Sequence, residues 1–156
     1  MHLRVISTCA DLQAVLAKDL GPGAWSQISE EQARRFEAAR RAGPYDTGRR
    51  CTKSRPALVD GALLLSLLGR LRASIEDLRF EFPSRMNLLY GFDDVRFSDP
   101  VPAPVMIRLF LRIVDVKLLE PGTIHVVYAH RLETSEGLTI LEANAINRIY
   151  LQEQAV

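Results

Sequence analysis

Cysteine is nearly missing from this chain of 156 residues: Cys9 and Cys51 stand far apart and form no Cys-x-x-Cys site. So few thiols cannot frame a disulfide scaffold, and both read as reduced. Long apolar runs are missing too. The longest, Ala62 to Leu68 with Ser66 inside it, falls far short of the roughly 20 residues that cross a bilayer. The opening Met1-His2-Leu3-Arg4-Val5-Ile6 builds no signal-peptide core before Asp11 interrupts it. Neither sign of charge is in excess. With 20 basic and 19 acidic side chains the net charge is +1, which supplies no global field to hold a phosphate backbone. Gly-rich nucleotide loops, nucleophile elbows and zinc or calcium ligand spacings are all absent, so no cofactor is implied. The expectation is a soluble cytoplasmic protein that engages neither nucleic acid nor membrane.

What is present suits one globular domain spanning residues 1–156, a length that buries a sizeable core without disulfides or metal. Thr8-Cys9-Ala10-Asp11 opens like a helix cap, and Leu12, Val15, Leu16 and Leu20 share a helical face until Gly21-Pro22. A short extended piece, Trp25 to Ile28, leads to Ser29 and Gln32, a capping pair for a second helix ending near Arg41. Residues Ala42 to Arg55 read as a loop. Ala57 to Leu68 is apolar all round its axis, which predicts a helix buried on nearly every side.

The second half alternates as strands: Phe80 to Phe82, Leu88 to Phe97, Met106 to Leu118, Ile124 to Leu132 and Leu138 to Leu151. Turn chemistry at Glu120-Pro121-Gly122 and at Thr134-Ser135-Glu136-Gly137 makes the last three an antiparallel meander. Apolar residues sit at odd positions from Ile107 to Ile113 and at even ones from Val114 to Leu118. That slip predicts a β-bulge near Ile113-Val114. The resulting class is α+β, with an antiparallel sheet curled around a central buried helix.

Two segments then carry a family likeness. Leu58-Val59-Asp60-Gly61 through Ser66-Leu67-Leu68 resembles the Ala-His-Gly-x-x-x-x-Ser-Leu start of the central helix in MaoC-like and NodN-like dehydratases. Asp93-Asp94-Val95-Arg96-Phe97-Ser98-Asp99-Pro100-Val101 resembles their Asn-x-Val-Arg-Phe-x-x-Pro-Val strand and turn. The resemblance implies a hot-dog fold and chemistry of the R-specific enoyl-thioester hydratase type. It implies a small-molecule substrate linked to coenzyme A or acyl carrier protein, and a homodimer or a heterodimer with a related hot-dog protein.

One departure from the family pattern bears on function. The family's catalytic Asp and His lie on a Gly-Asp-x-Asn-Pro-x-His type segment, where this chain has Ala42-Gly43-Pro44-Tyr45-Asp46-Thr47-Gly48-Arg49-Arg50. Gly61 remains, and the resemblance assigns its N–H to the thioester carbonyl. A helix amino terminus favours negative charge on that oxygen.

The candidate catalytic residues are therefore Tyr45, Asp46, Asp60 and Gly61. Asp60 reads either as the helix cap or as an acid/base in the family's His position, and the two roles are compatible. Asp46 beside Tyr45 is a second proton carrier or a solvated loop residue. Asp93 reads as structural. Arg49, Arg50 and Arg55, with Arg40, Arg41 and Lys53 nearby, are candidate binders of coenzyme A or carrier-arm phosphates, or simply a solvated basic face. His125 and His130 point to opposite strand faces, so they form no joint metal site, and each reads as a surface or satisfied histidine. Arg72 reads as a surface residue. The functional expectation is a lyase of the hydratase/dehydratase kind, or a derived isomerase or cyclase, with a non-standard acid/base group. The alternative is a non-catalytic hot-dog subunit that supports an active homologue.

Overall fold

The computed structural model describes residues 3–41, 56–120 and 122–152. The order is β1 (Arg4–Ile6), α1 (Cys9–Ala14), β2 (Asp19–Leu20), β3 (Ser26–Ile28), α2 (Glu30–Arg41), α3 (Gly61–Arg72), β4 (Leu78–Phe80), β5 (Ser84–Phe97), β6 (Val105–Glu120), β7 (Thr123–Thr134) and β8 (Thr139–Leu151). The main sheet runs β2-β6-β7-β8-β5, with β3 also on β6, and all its pairings are antiparallel. β1 and β4 form a separate parallel pair.

Helix α1 shows the Thr8–Asp11 capping box but stops after six residues. The expected continuation to Leu20 is replaced by pairing with β6. Ala17 turns to a positive φ of 60°, its N–H donates to the Ile113 carbonyl at 2.8 Å, and Asp19–Leu20 becomes β2. Leu16 is left exposed. The sheet edge thus supplies backbone hydrogen bonds that outcompete another helical turn. α2 follows its expected bounds, with Ser29 and Gln32 exchanging cap hydrogen bonds of 3.1 and 2.9 Å.

The meander forms where turn chemistry places it, with Gly122 and Gly137 both at φ 82°. The β6–β7 register shifts between Ile113 and Asp115, which is the bulge that the parity slip implies. β7 alternates strictly, its even residues Ile124 to Thr134 buried under the helices. Leu63, Leu64, Leu68 and Leu71 of α3 join Ile107, Leu109, Leu132 and Leu141 in one core cluster.

One expectation changes. α3 is not buried all round: Ala62, Ser66, Gly69 and Arg70 form an open stripe at i, i+4, i+7 and i+8. The reason is lateral. The sheet extends past the helix to β5, most of which is exposed, and among the described residues no element packs back against that stripe. β8 lies between β7 and β5.

Candidate functional site

α3 starts where Asp60 caps it. The carboxylate Oδ1 accepts from the Ala62 N–H at 2.8 Å, and Asp60 keeps an extended backbone. Oδ2 lies 2.8 Å from Nη1 of Arg40, near the end of α2. Both carboxylate oxygens are therefore engaged, one in the cap and one in an ion pair. The pair is partly solvated, so it stabilises by about 1 kcal/mol at most.

The chain entering the helix is clamped by backbone. The Val59 N–H donates to the Val101 carbonyl at 2.9 Å, and the Ala103 N–H donates to the Ala57 carbonyl at 2.8 Å. These bonds draw the turn after β5 against the amino end of α3. Phe97, at the end of β5, lays its ring over Gly61. A Cβ on Gly61 would lie 2.7 to 2.9 Å from three ring carbons, so glycine is the residue that admits this approach.

As the first residue of the helix, Gly61 has no intrahelical acceptor for its N–H. A cleft of about 230 Å³ opens here, bounded by Asp60, Gly61, Ala62, Phe97, Asp99 and Pro100. The arrangement can polarise a carbonyl oxygen. Proton transfer from Asp60 would require Oδ2 to exchange Arg40 for substrate.

Of the remaining candidates, Tyr45, Asp46, Arg49, Arg50 and Arg55 lie outside the described residues. Asp93 is exposed on β5. The hydrogen bond expected of it belongs to its neighbour: Asp94, at φ 51°, accepts from Asn144 Nδ2 at 3.1 Å. His125 and His130 do fall on opposite faces. His125 is partly exposed, with Nε2 3.9 Å from Asp115 Oδ2. Hydrogen bonds and charge from Lys117 hold the Asp115 carboxyl below its usual value.

His130 is not on the surface: it is 4% exposed, with the backbone of Tyr128 and Ala143 as hydrogen-bond partners of its ring. Burial, helped by the cation of Arg72, lowers its pKa to about 4. Arg72 itself departs from its surface reading, with its guanidinium 4.5 Å from the Tyr128 ring centroid and 5.3 Å from that of Phe80. Burial raises the Tyr128 phenol to about 12, with Arg72 acting in the opposite direction. Strand parity held the signal for His130, because Ile124, Val126, Tyr128 and Leu132 share its phase. For Phe97 the signal was the glycine it covers. Among the described residues no group of three His, Cys, Asp or Glu side chains is placed to hold a metal. No helix there is long and apolar enough to cross a membrane.

No family model matches the chain. A curated relative, 3-hydroxyacyl-thioester dehydratase Z from Mycobacterium tuberculosis, is 25% identical over 144 aligned residues, covering 84% of this chain and 87% of the relative. Among solved structures, the monoamine oxidase regulatory protein from Archaeoglobus fulgius superposes with a TM-score of 0.71 at 19% identity, over 98% of this chain and 100% of that one. A MaoC-like dehydratase from Rhodospirillum rubrum gives 0.61 at 10% identity, over 88% and 94%. This chain thus has the hot-dog fold of the MaoC-like dehydratases, and its sequence resembles a 3-hydroxyacyl-thioester dehydratase along most of its length.

Proposed function

We propose that this chain is one hot-dog domain acting on an acyl thioester of coenzyme A or acyl carrier protein, in a hydratase/dehydratase-type reaction. The observation that carries the reading is the amino end of α3. Gly61, whose N–H has no helical acceptor, lines a cleft beside an acidic residue, in a chain similar to a dehydratase of hydroxyacyl thioesters, and this supports the reading. In this reading the Gly61 N–H and the helix dipole stabilise the enolate oxygen that develops when a proton leaves or reaches the α-carbon. Asp60 or Asp46 carries the proton, with Tyr45 as the next candidate. Arg49, Arg50 and Arg55 receive the phosphates of the carrier.

Ordinary hydration needs one group to activate water and another to protonate carbon, each contributing about 10²–10⁴-fold. With the family's Asp and His replaced, crotonyl-coenzyme A should be hydrated negligibly by the purified protein. The native reaction is then a variant lyase, isomerase or cyclase step, in which Asp60→Asn or Asp46→Asn abolishes turnover of a responsive thioester without loss of folding. Rapid crotonyl-coenzyme A hydration by the wild type would refute the altered proton chemistry. Activity that survives both substitutions would remove both carboxylates as carriers.

The sequence Ala42 to Arg50 favours a second reading, a subunit that shapes the site of an active homologue. Either reading needs association, and β5 supports it. Among the described residues that strand pairs with β8 alone, and it exposes Met86, Leu88, Leu89 and Tyr90. An unpaired apolar edge of this length invites pairing with another chain.

A further inference from the structure

β6 is paired on one side only along its second half. β7 accompanies it from Ile107 to Glu120. On the other side β3 takes Val105 to Ile107, and β2 takes Leu111 and Arg112. Pairing there ends at Ile113, which bridges to Leu16 and accepts from the Ala17 N–H. Among the described residues no strand covers Val114 to Leu118 from that side.

The bulge after Ile113 sets the faces of this open stretch. Val116 and Leu118 lie opposite Val126 and Ile124, on the face toward the core, while Asp115 and Lys117 lie opposite Val127 and His125 on the outer face. Val114 shares the phase of Val116 and Leu118 by alternation. Yet Val114 is exposed, Leu118 is 61% exposed, and Val116 is only partly buried. An open edge that carries apolar side chains is a template for another strand, and an unmatched lysine is one of the devices that guard against it. Here the lysine is matched, since Lys117 Nζ lies 2.7 Å from Asp115 Oδ2.

The five residues are complementary to themselves. Laid antiparallel against a second copy about a two-fold axis at Val116, they set Val116 against Val116, Val114 against Leu118 and Asp115 against Lys117, the last two pairs each occurring twice. Every apolar side chain then meets an apolar one, and every charge meets its opposite. An axis at Asp115 or at Lys117 would instead bring like charges together, so charge selects one register. Leu119 of the second copy would end beside Ile113, where the exposed Leu16 closes the edge.

We propose that the open edge of β6 from Val114 to Leu118 is a contact between two copies of this chain, paired antiparallel about Val116. It lies on the side of the main sheet away from β5, so it is a second contact, distinct from association through that strand. It is also independent of the thioester reading.

The test is oxidative cross-linking of the full chain in a Cys9→Ser, Cys51→Ser background. Val116→Cys places both sulfurs at the axis, where opposed Cα atoms are about 4.5–5.5 Å apart, inside the usual disulfide range of about 4.4–6.8 Å. Leu118→Cys sets its two copies four residues apart along the strands, roughly 14 Å, which a disulfide cannot span. Val116→Cys should therefore give at least about tenfold more covalent dimer than Leu118→Cys. A second arm adds no cysteine and changes exposed charges alone. Lys117→Asp and Asp115→Lys each oppose like charges across the axis and should each sediment as a smaller species than the wild type, whereas mixing the two variants restores opposite charges and the larger species. Absence of cross-linking at 116, equal cross-linking at 116 and 118, or sedimentation of Lys117→Asp unchanged from wild type would each overturn the proposal.

Discussion

Replacing His130 by Leu should flatten the pH dependence of stability between about pH 6.5 and 4. In the unfolded chain this imidazole titrates near its ordinary value of 6.5, whereas in the folded protein burial and the Arg72 cation lower it to about 4. Arg72 from α3 and the backbone of Tyr128 and Ala143 act on the ring, Asn147 from β8 and Asn87 from β5 line a cleft beside it, and among the described residues no carboxylate pairs with it. The unfolded state therefore binds a proton across this window that the native state refuses. Stability is full above the unfolded value and falls as the pH drops toward the folded one. A separation of this size corresponds to about 3 kcal/mol, a large share of a typical total of roughly 5–15 kcal/mol. Asp11 and Asp115 have pKa values lowered from 3.8, so the stability linked to them is lost only below that value, and the two windows separate. Urea unfolding at fixed protein concentration, from pH 7.5 to 4.5, measures the effect. A wild-type midpoint that is flat over that range, or a slope that persists in His130→Leu, would show that the ring is not held dry beneath α3.

Leu64→Asp should abolish cooperative folding, since Leu64 is 3% exposed within the helix–sheet core and an unpaired charge there costs several kcal/mol; thermal melts followed by circular dichroism report it. Gly61→Ala should destabilise by about 1–3 kcal/mol in urea, because its Cβ would overlap the Phe97 ring, and Phe97→Ala in the same chain should return most of the loss. Leu88→Lys on the free strand β5 should shift sedimentation toward monomer with little change in secondary structure.

How far the sequence reaches depends on which physics sets each feature. The bulge between Ile113 and Asp115 was legible because strand side chains alternate with a period of two, and one inserted residue reverses the phase of all that follow. The caps at Thr8 and Ser29 were legible for a similar reason, being closed within four residues. The end of α1 was not. Leu12, Val15, Leu16 and Leu20 satisfy a helical period, yet Ala17 donates to Ile113, nearly a hundred residues away, and no local pattern carries that bond. The open side of α3 was hidden likewise. An apolar circumference from Ala57 to Leu68 implies neighbours on every side, while no atom lies within 4 Å of a Cβ on Gly69 among the described residues, because the width of the sheet beyond the helix is a tertiary property.

Under the proposed function, the contacts at the amino end of α3 would keep a carbonyl-polarising N–H in place even where the proton carriers differ. Every contact that holds Gly61 in place also serves the fold. Asp60 satisfies a helix N–H, the Val59–Val101 and Ala57–Ala103 bonds satisfy buried backbone, and Phe97 covers apolar surface that would otherwise face water. Removing any of these costs stability whether or not the protein is a catalyst. The proton carriers that the resemblance implies fall instead in residues 42–55, outside the described core formed by Leu64, Leu68 and Leu109. The Asp60 and Asp46 substitutions are therefore the ones that discriminate turnover from a purely structural role of this end of the helix. Asp60→Asn preserves an oxygen to accept from the Ala62 N–H and removes only the charge facing Arg40, so its stability loss should stay within about 1 kcal/mol. A larger fall in turnover than in stability would assign Asp60 to the reaction; parallel falls would leave it as the cap.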